Sequence, residues 1–131
     1  MRTATTLATV LVRVTGLIQL VLGILFWSGH ARALTQLHMA IGMIFVLALW
    51  TLSVLGMRAG LAPGITWGAL AWGIVLPVLG MTQMQILPGA GHWVVRVVHL
   101  LTAMVAMGLA QRLATGIEKS PGRPPLRAVH T

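Results

Sequence analysis

Acidic side chains are almost missing from this chain: Glu118 is the only one, against nine lysines and arginines. A single carboxylate rules out the oxygen-rich sites that hard cations need. It also leaves no Asp or Glu inside the apolar segments to carry a proton pathway. Cysteine is absent altogether. That removes disulfides, thiolate metal sites, iron–sulfur clusters and haem attached covalently through a cysteine pair. Charged residues of either sign make up only 8% of the chain, against about 25% in an ordinary soluble domain. A water-facing surface cannot be built from so few, so a soluble globular domain is excluded. No serine or threonine has a convincing nucleophile context and no Gly-rich phosphate loop is present, so no catalytic residue is assigned.

What the chain has instead is apolar residues, 57% of a 131-residue sequence. Four hydrophobic runs lie at residues 5–27, 33–55, 63–84 and 92–113. Each is long enough to cross a bilayer, which takes about 20 residues. Polar or Gly/Pro-rich breaks separate them: Ser28-Gly29-His30-Ala31-Arg32, then Gly56-Met57-Arg58-Ala59-Gly60, then Leu87-Pro88-Gly89-Ala90-Gly91. Pro63 suits the first turn of the third helix. The first run, with its basic start and Ala31-Arg32-Ala33, has the look of a cleavable signal peptide; it is read here as a genuine span. The expected fold is all-α, a four-transmembrane-helix bundle over residues 1–116. A basic, Pro-rich cytoplasmic tail is expected over 117–131, where Ser120-Pro121-Gly122-Arg123-Pro124-Pro125 cannot hold a helix. Four spans use up the length, so any function sits between the helices or at their ends.

The formal charge of +8 does not make a nucleic-acid binder, because several of its basic residues cluster in the stretch 112–127. A basic stretch beside a membrane span orients the chain and meets anionic lipid. Arg2, Arg58, Arg112, Lys119, Arg123 and Arg127 mark one side, and Arg32 with Arg96 the other. The expectation is a multi-pass protein of a bacterial inner membrane with both termini cytoplasmic. Trp27 and Trp93 fit the outer aromatic belt and Trp67 the inner one. The halves also echo each other: Leu22-Gly23, Gly29-His30 and His38 with Met43 correspond to Leu79-Gly80, Gly91-His92 and His99 with Met104. Two pseudo-repeated helical hairpins, related by an axis along the membrane normal, would give this pattern.

Ionisable groups inside a bilayer are costly and mark function by default. Here they are Arg13, His38, Arg96 and His99, with Gln19 as a polar companion. His38 and His99 lie roughly 8 and 10 Å below the outer boundary on two parallel helices, at 1.5 Å per residue. Two imidazoles at one level can ligate a haem iron from both sides. Gly42 and Ala103 each follow their histidine by one turn on the same face, and Ala106 and Ala110 extend that face, giving small residues beside a flat macrocycle. Arg96, three residues before His99 and nearer the surface, suits a haem propionate. Small residues also line membrane helix contacts that hold no cofactor, and a histidine can simply hydrogen-bond a neighbouring helix. Arg13 falls near mid-membrane with no acidic partner; carbonyls, Gln19, water, a lipid headgroup or an anionic cofactor group are all open to it.

The helix count together with His38 and His99 on alternate spans resembles the four-helix membrane cytochromes b. The resemblance implies bis-imidazole haem b and electron transfer, or a haem-bearing subunit of a membrane complex. Only one haem is implied, since no second histidine pair stands at the inner end. Two other readings stay open. One is a cofactor-free accessory subunit packed against a protein partner or another copy in the lipid membrane. The other is an outward-facing copper protein, using His30 and His92 with Met39 and the thioethers of Met81-Thr82-Gln83-Met84, since thioether and imidazole suit Cu(I).

Overall fold

The structure is a computed structural model that describes residues 2–29 and 32–120. A helix satisfies every backbone hydrogen bond within its own segment, which is what an apolar run in lipid requires. All four runs are helical: α1 (Arg2–Trp27), α2 (Thr35–Arg58), α3 (Pro63–Thr82) and α4 (His92–Lys119). Single 3-10 turns at Arg32–Leu34 and Gln83–Gln85 lead into α2 and out of α3. All four helices, α3 with its added turn, are long and apolar enough to cross a membrane. The protein is a multi-pass, all-α bundle. The domain boundary expected at residue 116 falls inside α4, which runs on to Lys119. Residues 121–131, the rest of the expected tail, lie outside the described residues, as do His30 and Ala31.

Pro63 occupies the first turn of α3 as expected. At the other end of the same connection α2 closes in a Schellman turn. Gly60 takes φ 76°, its N–H donates to the Met57 carbonyl, and the Leu61 N–H donates to the Gly56 carbonyl. An L side chain at residue 60 would be strained there. Leu61 then turns back against Gly56 and against Gly116 of α4, tying the α2–α3 connection to the end of the bundle.

The helices follow one another around the bundle, α1 beside α2, α2 beside α3, α3 beside α4 and α4 beside α1. A diagonal contact between α2 and α4 fills the middle. The core holds Leu49 and Leu52 of α2, Leu113, Ala106 and Ala110 of α4, Ala69 of α3 and Val12 of α1. Around it the surface is inverted relative to a soluble protein: Leu17 and Ile24 of α1 are each about 60% exposed. Lipid is the solvent that makes such a surface stable. Buried hydroxyls are satisfied within their own helices, as with Thr9 on the Thr5 carbonyl (2.7 Å), Thr102 on that of Val98 (2.7 Å) and Ser53 on that of Leu49 (3.0 Å). Trp67, Trp27 and Trp93 are exposed at the helix ends.

Candidate functional site

His38 lies in the first turn of α2 and His99 in the third turn of α4, and the α2–α4 contact brings them together. Their ring centroids are 6.4 Å apart with the planes inclined at 50°. Both are half-buried. Each of the four helices contributes to the setting. Phe26 of α1 stands edge-on to His38, with centroids 5.2 Å apart and an interplanar angle of 68°. Gln19 of α1 donates its amide Nε2 to the His38 backbone carbonyl at 2.8 Å. Gly80 of α3 lies so close to His99 that a Cβ there would stand 3.2 Å from its Cε1.

Among the described residues three buried side-chain polar atoms have no hydrogen-bond partner, and all belong to this cluster: His38 Nδ1, His99 Nδ1 and Gln19 Oε1. Orphaned polar atoms in an apolar interior are costly. A bound group that takes an imidazole nitrogen as ligand, or accepts its N–H, removes that cost. The spacing also fits a metal between the rings. Two metal–imidazole bonds of about 2 Å, with roughly 1 Å more from each nitrogen to its ring centre, put the ring centres about 6 Å apart. The pair therefore has the donor type and the spacing of two imidazole ligands to one metal.

The other sequence candidates divide. Ala103 is half-buried one turn below His99, and Arg96 is exposed one turn above it. Gly42 is small for a different reason from the one expected. The Gln19 amide already fills its space, and a Cβ at residue 42 would lie 2.5 Å from Gln19 Nε2. Ala106 and Ala110 are fully buried in the helix-packing core. Arg13 is separated from the pair. Its Nε and Nη2 both donate to Gln111 Oε1, at 3.3 and 2.9 Å, and Gln111 lies about 18 Å beyond His99 along α4. At the start of α4, His92 Nδ1 is 3.4 Å from the Ile86 carbonyl. Met81 and Met84 are about 70% exposed. Among the described residues no group of three or more His, Cys, Asp or Glu side chains gathers to hold a metal.

Sequence reasoning missed Phe26, Gly80 and Gln111. Gln111 was the most findable, being the only amide in the fourth run. The two hairpins differ at their shared Leu-Gly step: Gly80 meets His99, whereas nothing lies within 4 Å of where a side chain at Gly23 would start.

The fold and site together define a class: a four-span membrane bundle carrying a facing pair of imidazoles near one end. Comparison with protein-family models, with curated proteins and with solved structures finds no match to this chain.

Proposed function

We propose that this protein is a membrane haem b protein, an electron carrier or the haem-bearing subunit of a membrane complex, with His38 and His99 as its axial ligands. The observation that carries this reading is the facing imidazole pair, 6.4 Å between centroids, with both Nδ1 atoms buried and unpartnered. Haem b supplies one-electron redox chemistry at an iron held between two imidazoles. His38 and His99 hold that iron from α2 and α4, so the diagonal helix contact sets their separation. Gln19 fixes the backbone at His38 through its Nε2, and its buried Oε1 has no partner of its own. Arg96 offers a planar cation one turn nearer the outer surface for a propionate. Both termini are cytoplasmic in this reading, which puts the site near the external face, where electrons pass to or from a partner protein.

An absorption spectrum of the purified protein is the test. Sharp reduced-state α and Soret bands are expected, and His38→Ala and His99→Ala should each abolish the low-spin spectrum while the chain still inserts. Arg96→Leu should lower haem content and reduction potential, because loss of a cation favours the oxidised, more positive haem. Arg96→Lys should recover part of both, since it keeps the charge without the fork. A wild-type protein without haem bands, or bands unchanged in both histidine variants, refutes the reading.

A further inference from the structure

The paired-imidazole site leaves Arg13 and the cavity beside it unused. Trp27 of α1 and Trp93 of α4, both exposed, mark the membrane boundary at the imidazole end. At 1.5 Å per residue Arg13 lies about 21 Å from Trp27 along α1, and Gln111 about 27 Å from Trp93 along α4. In a hydrocarbon core about 30 Å thick, Gln111 is therefore close under the opposite boundary. Side chains lean toward the start of their helix, so Arg13 leans toward that boundary and Gln111 away from it. They meet between the two levels, where Arg13 Nε and Nη2 donate to Gln111 Oε1 at 3.3 and 2.9 Å. The guanidinium thus sits near the boundary, and not at mid-membrane as the residue's place in the sequence suggests. Gln111 Nε2 in turn lies 3.4 Å from Thr115 Oγ1, one turn further along α4 and at the level of the headgroups.

Gln111 takes two of the five N–H donors of the guanidinium, and the rest have no partner among the described residues. Gln111 is neutral, so it fixes geometry without compensating charge. Glu118, the chain's only acidic side chain, is exposed about 10 Å further along α4. The other charged side chains described at this end, Arg2, Arg58, Arg112 and Lys119, are all cations.

Beside the guanidinium is a cavity of about 300 Å³ between α1 and α4. Val12, Leu52 and Met107 make its apolar wall, and Arg13 with Gln111 its polar end. Met107 and Gly108 lie about one turn deeper than Gln111, at the depth of the upper carbons of an acyl chain. Arg13, Gln111 and Gly108 are exposed on the bundle's outer surface, so the cavity opens to the bilayer. Nothing lies within 4 Å of where a Cβ at Gly108 would sit. At roughly 30 Å³ per water-sized group, the volume takes about ten such groups. That is a glycerol ester and the first carbons of one chain whose remainder lies in lipid.

We propose that this cleft is a specific site for one anionic phospholipid, its phosphate paired with Arg13 and one acyl chain seated past Gly108. The lipid comes from the leaflet at the end where α1 starts and α4 finishes. A phosphodiester already carries its negative charge, so binding moves no proton. Its phosphate lies just outside the hydrocarbon, and a guanidinium close under the boundary draws it inward by local thinning of the bilayer. The planar fork of arginine matches two phosphate oxygens. The surrounding cations choose among phospholipids. A headgroup with its own ammonium adds a cation to an end that already holds four, whereas a glycerol headgroup adds none.

Native mass spectrometry of the full chain, titrated with phosphatidylglycerol or phosphatidylcholine in detergent micelles, tests this. Wild type should retain one phosphatidylglycerol saturably and in preference to phosphatidylcholine. Arg13→Leu should weaken that binding about ten- to hundred-fold, the scale of a charge-assisted hydrogen bond. Arg13→Lys should weaken it less because it keeps the charge. Gly108→Phe should weaken it by filling the mouth while leaving Arg13 in place. Arg58→Leu, which removes a cation of the same end but outside the cavity, should leave it unchanged. Unchanged affinity in Arg13→Leu, or in Gly108→Phe, overturns the site. An equal loss in Arg58→Leu also overturns it, because binding would then be a diffuse attraction to a basic surface. Equal retention of phosphatidylcholine would make the occupant zwitterionic, and displacement by inorganic phosphate would make it a free anion. Either result overturns the anionic phospholipid.

Discussion

The Trp50 indole occupies the space where a side chain at residue 73 would begin, and its Nε1 donates to the Leu70 carbonyl at 3.1 Å. Gly73 is therefore a requirement of tertiary contact, set on a helix where glycine is otherwise a weakness. The two effects can be separated by substitution. Gly68, five residues earlier on α3, has nothing within 4 Å of an added Cβ, so Gly68→Ala should gain about 0.5–1 kcal/mol by removing backbone freedom. Gly73→Ala makes the same local gain but must push the indole aside, at an overpacking cost of ~1–3 kcal/mol. Thermal unfolding in one detergent should show the midpoint rising for Gly68→Ala and falling for Gly73→Ala. Equal shifts would mean that Trp50 is free to move and that its hydrogen bond holds little. Gly42 belongs with Gly73, since it admits Gln19 beneath the imidazoles. Neither contact is visible in the sequence, where all these glycines look alike.

At the scale of elements, α4 shows how one stripe of small residues serves two purposes. His99, Ala103, Ala106 and Ala110 recur at helical spacing and share a face. Its N-terminal part includes His99 of the imidazole pair, while Ala106 and Ala110 are buried in the core that includes Leu49 and Leu52 of α2. In lipid there is little hydrophobic drive to bring helices together, so close approach of backbones through small side chains supplies much of the association. Ala110→Leu should hold α4 off α2 and cost ~1–3 kcal/mol. Val105, about half exposed to lipid on the same helix, provides the control. Val105→Leu should leave stability unchanged within ~0.5 kcal/mol. Denaturant titration of the two variants in mixed micelles checks this; a loss of similar size in both would show that α4 is not held through its alanine face.

At the scale of the whole molecule, four crossings put the start of α1 and the end of α4 on the same side, whichever side that is. The basic residues choose it. A reporter fused after Thr131 should be active only if it works in the cytoplasm, and one inserted at Pro88-Gly89 only if it works outside. The opposite labelling would move His38 and His99 to the cytoplasmic end, and the proposed electron exchange with them.

Hydropathy made the four helices legible, because crossing a bilayer demands length and apolar composition from each segment independently of its neighbours. It placed His92 at the start of α4 and Pro63 at the start of α3, and missed where α4 ends, since Lys119 is polar yet still helical. His38 and His99 could be matched by depth along their own helices, a one-dimensional property. Rotation of each helix about its axis is different, because an almost wholly apolar helix has no polar face to declare which side turns inward. Only the packed bundle decided that the imidazoles face each other, that Gln19 fills the space at Gly42, and that Arg13 reaches Gln111 beside an open cavity. Sequence determined what enters the membrane and at what depth. Tertiary structure decided what meets there, because contact between helices depends on shapes contributed by residues far apart in the chain.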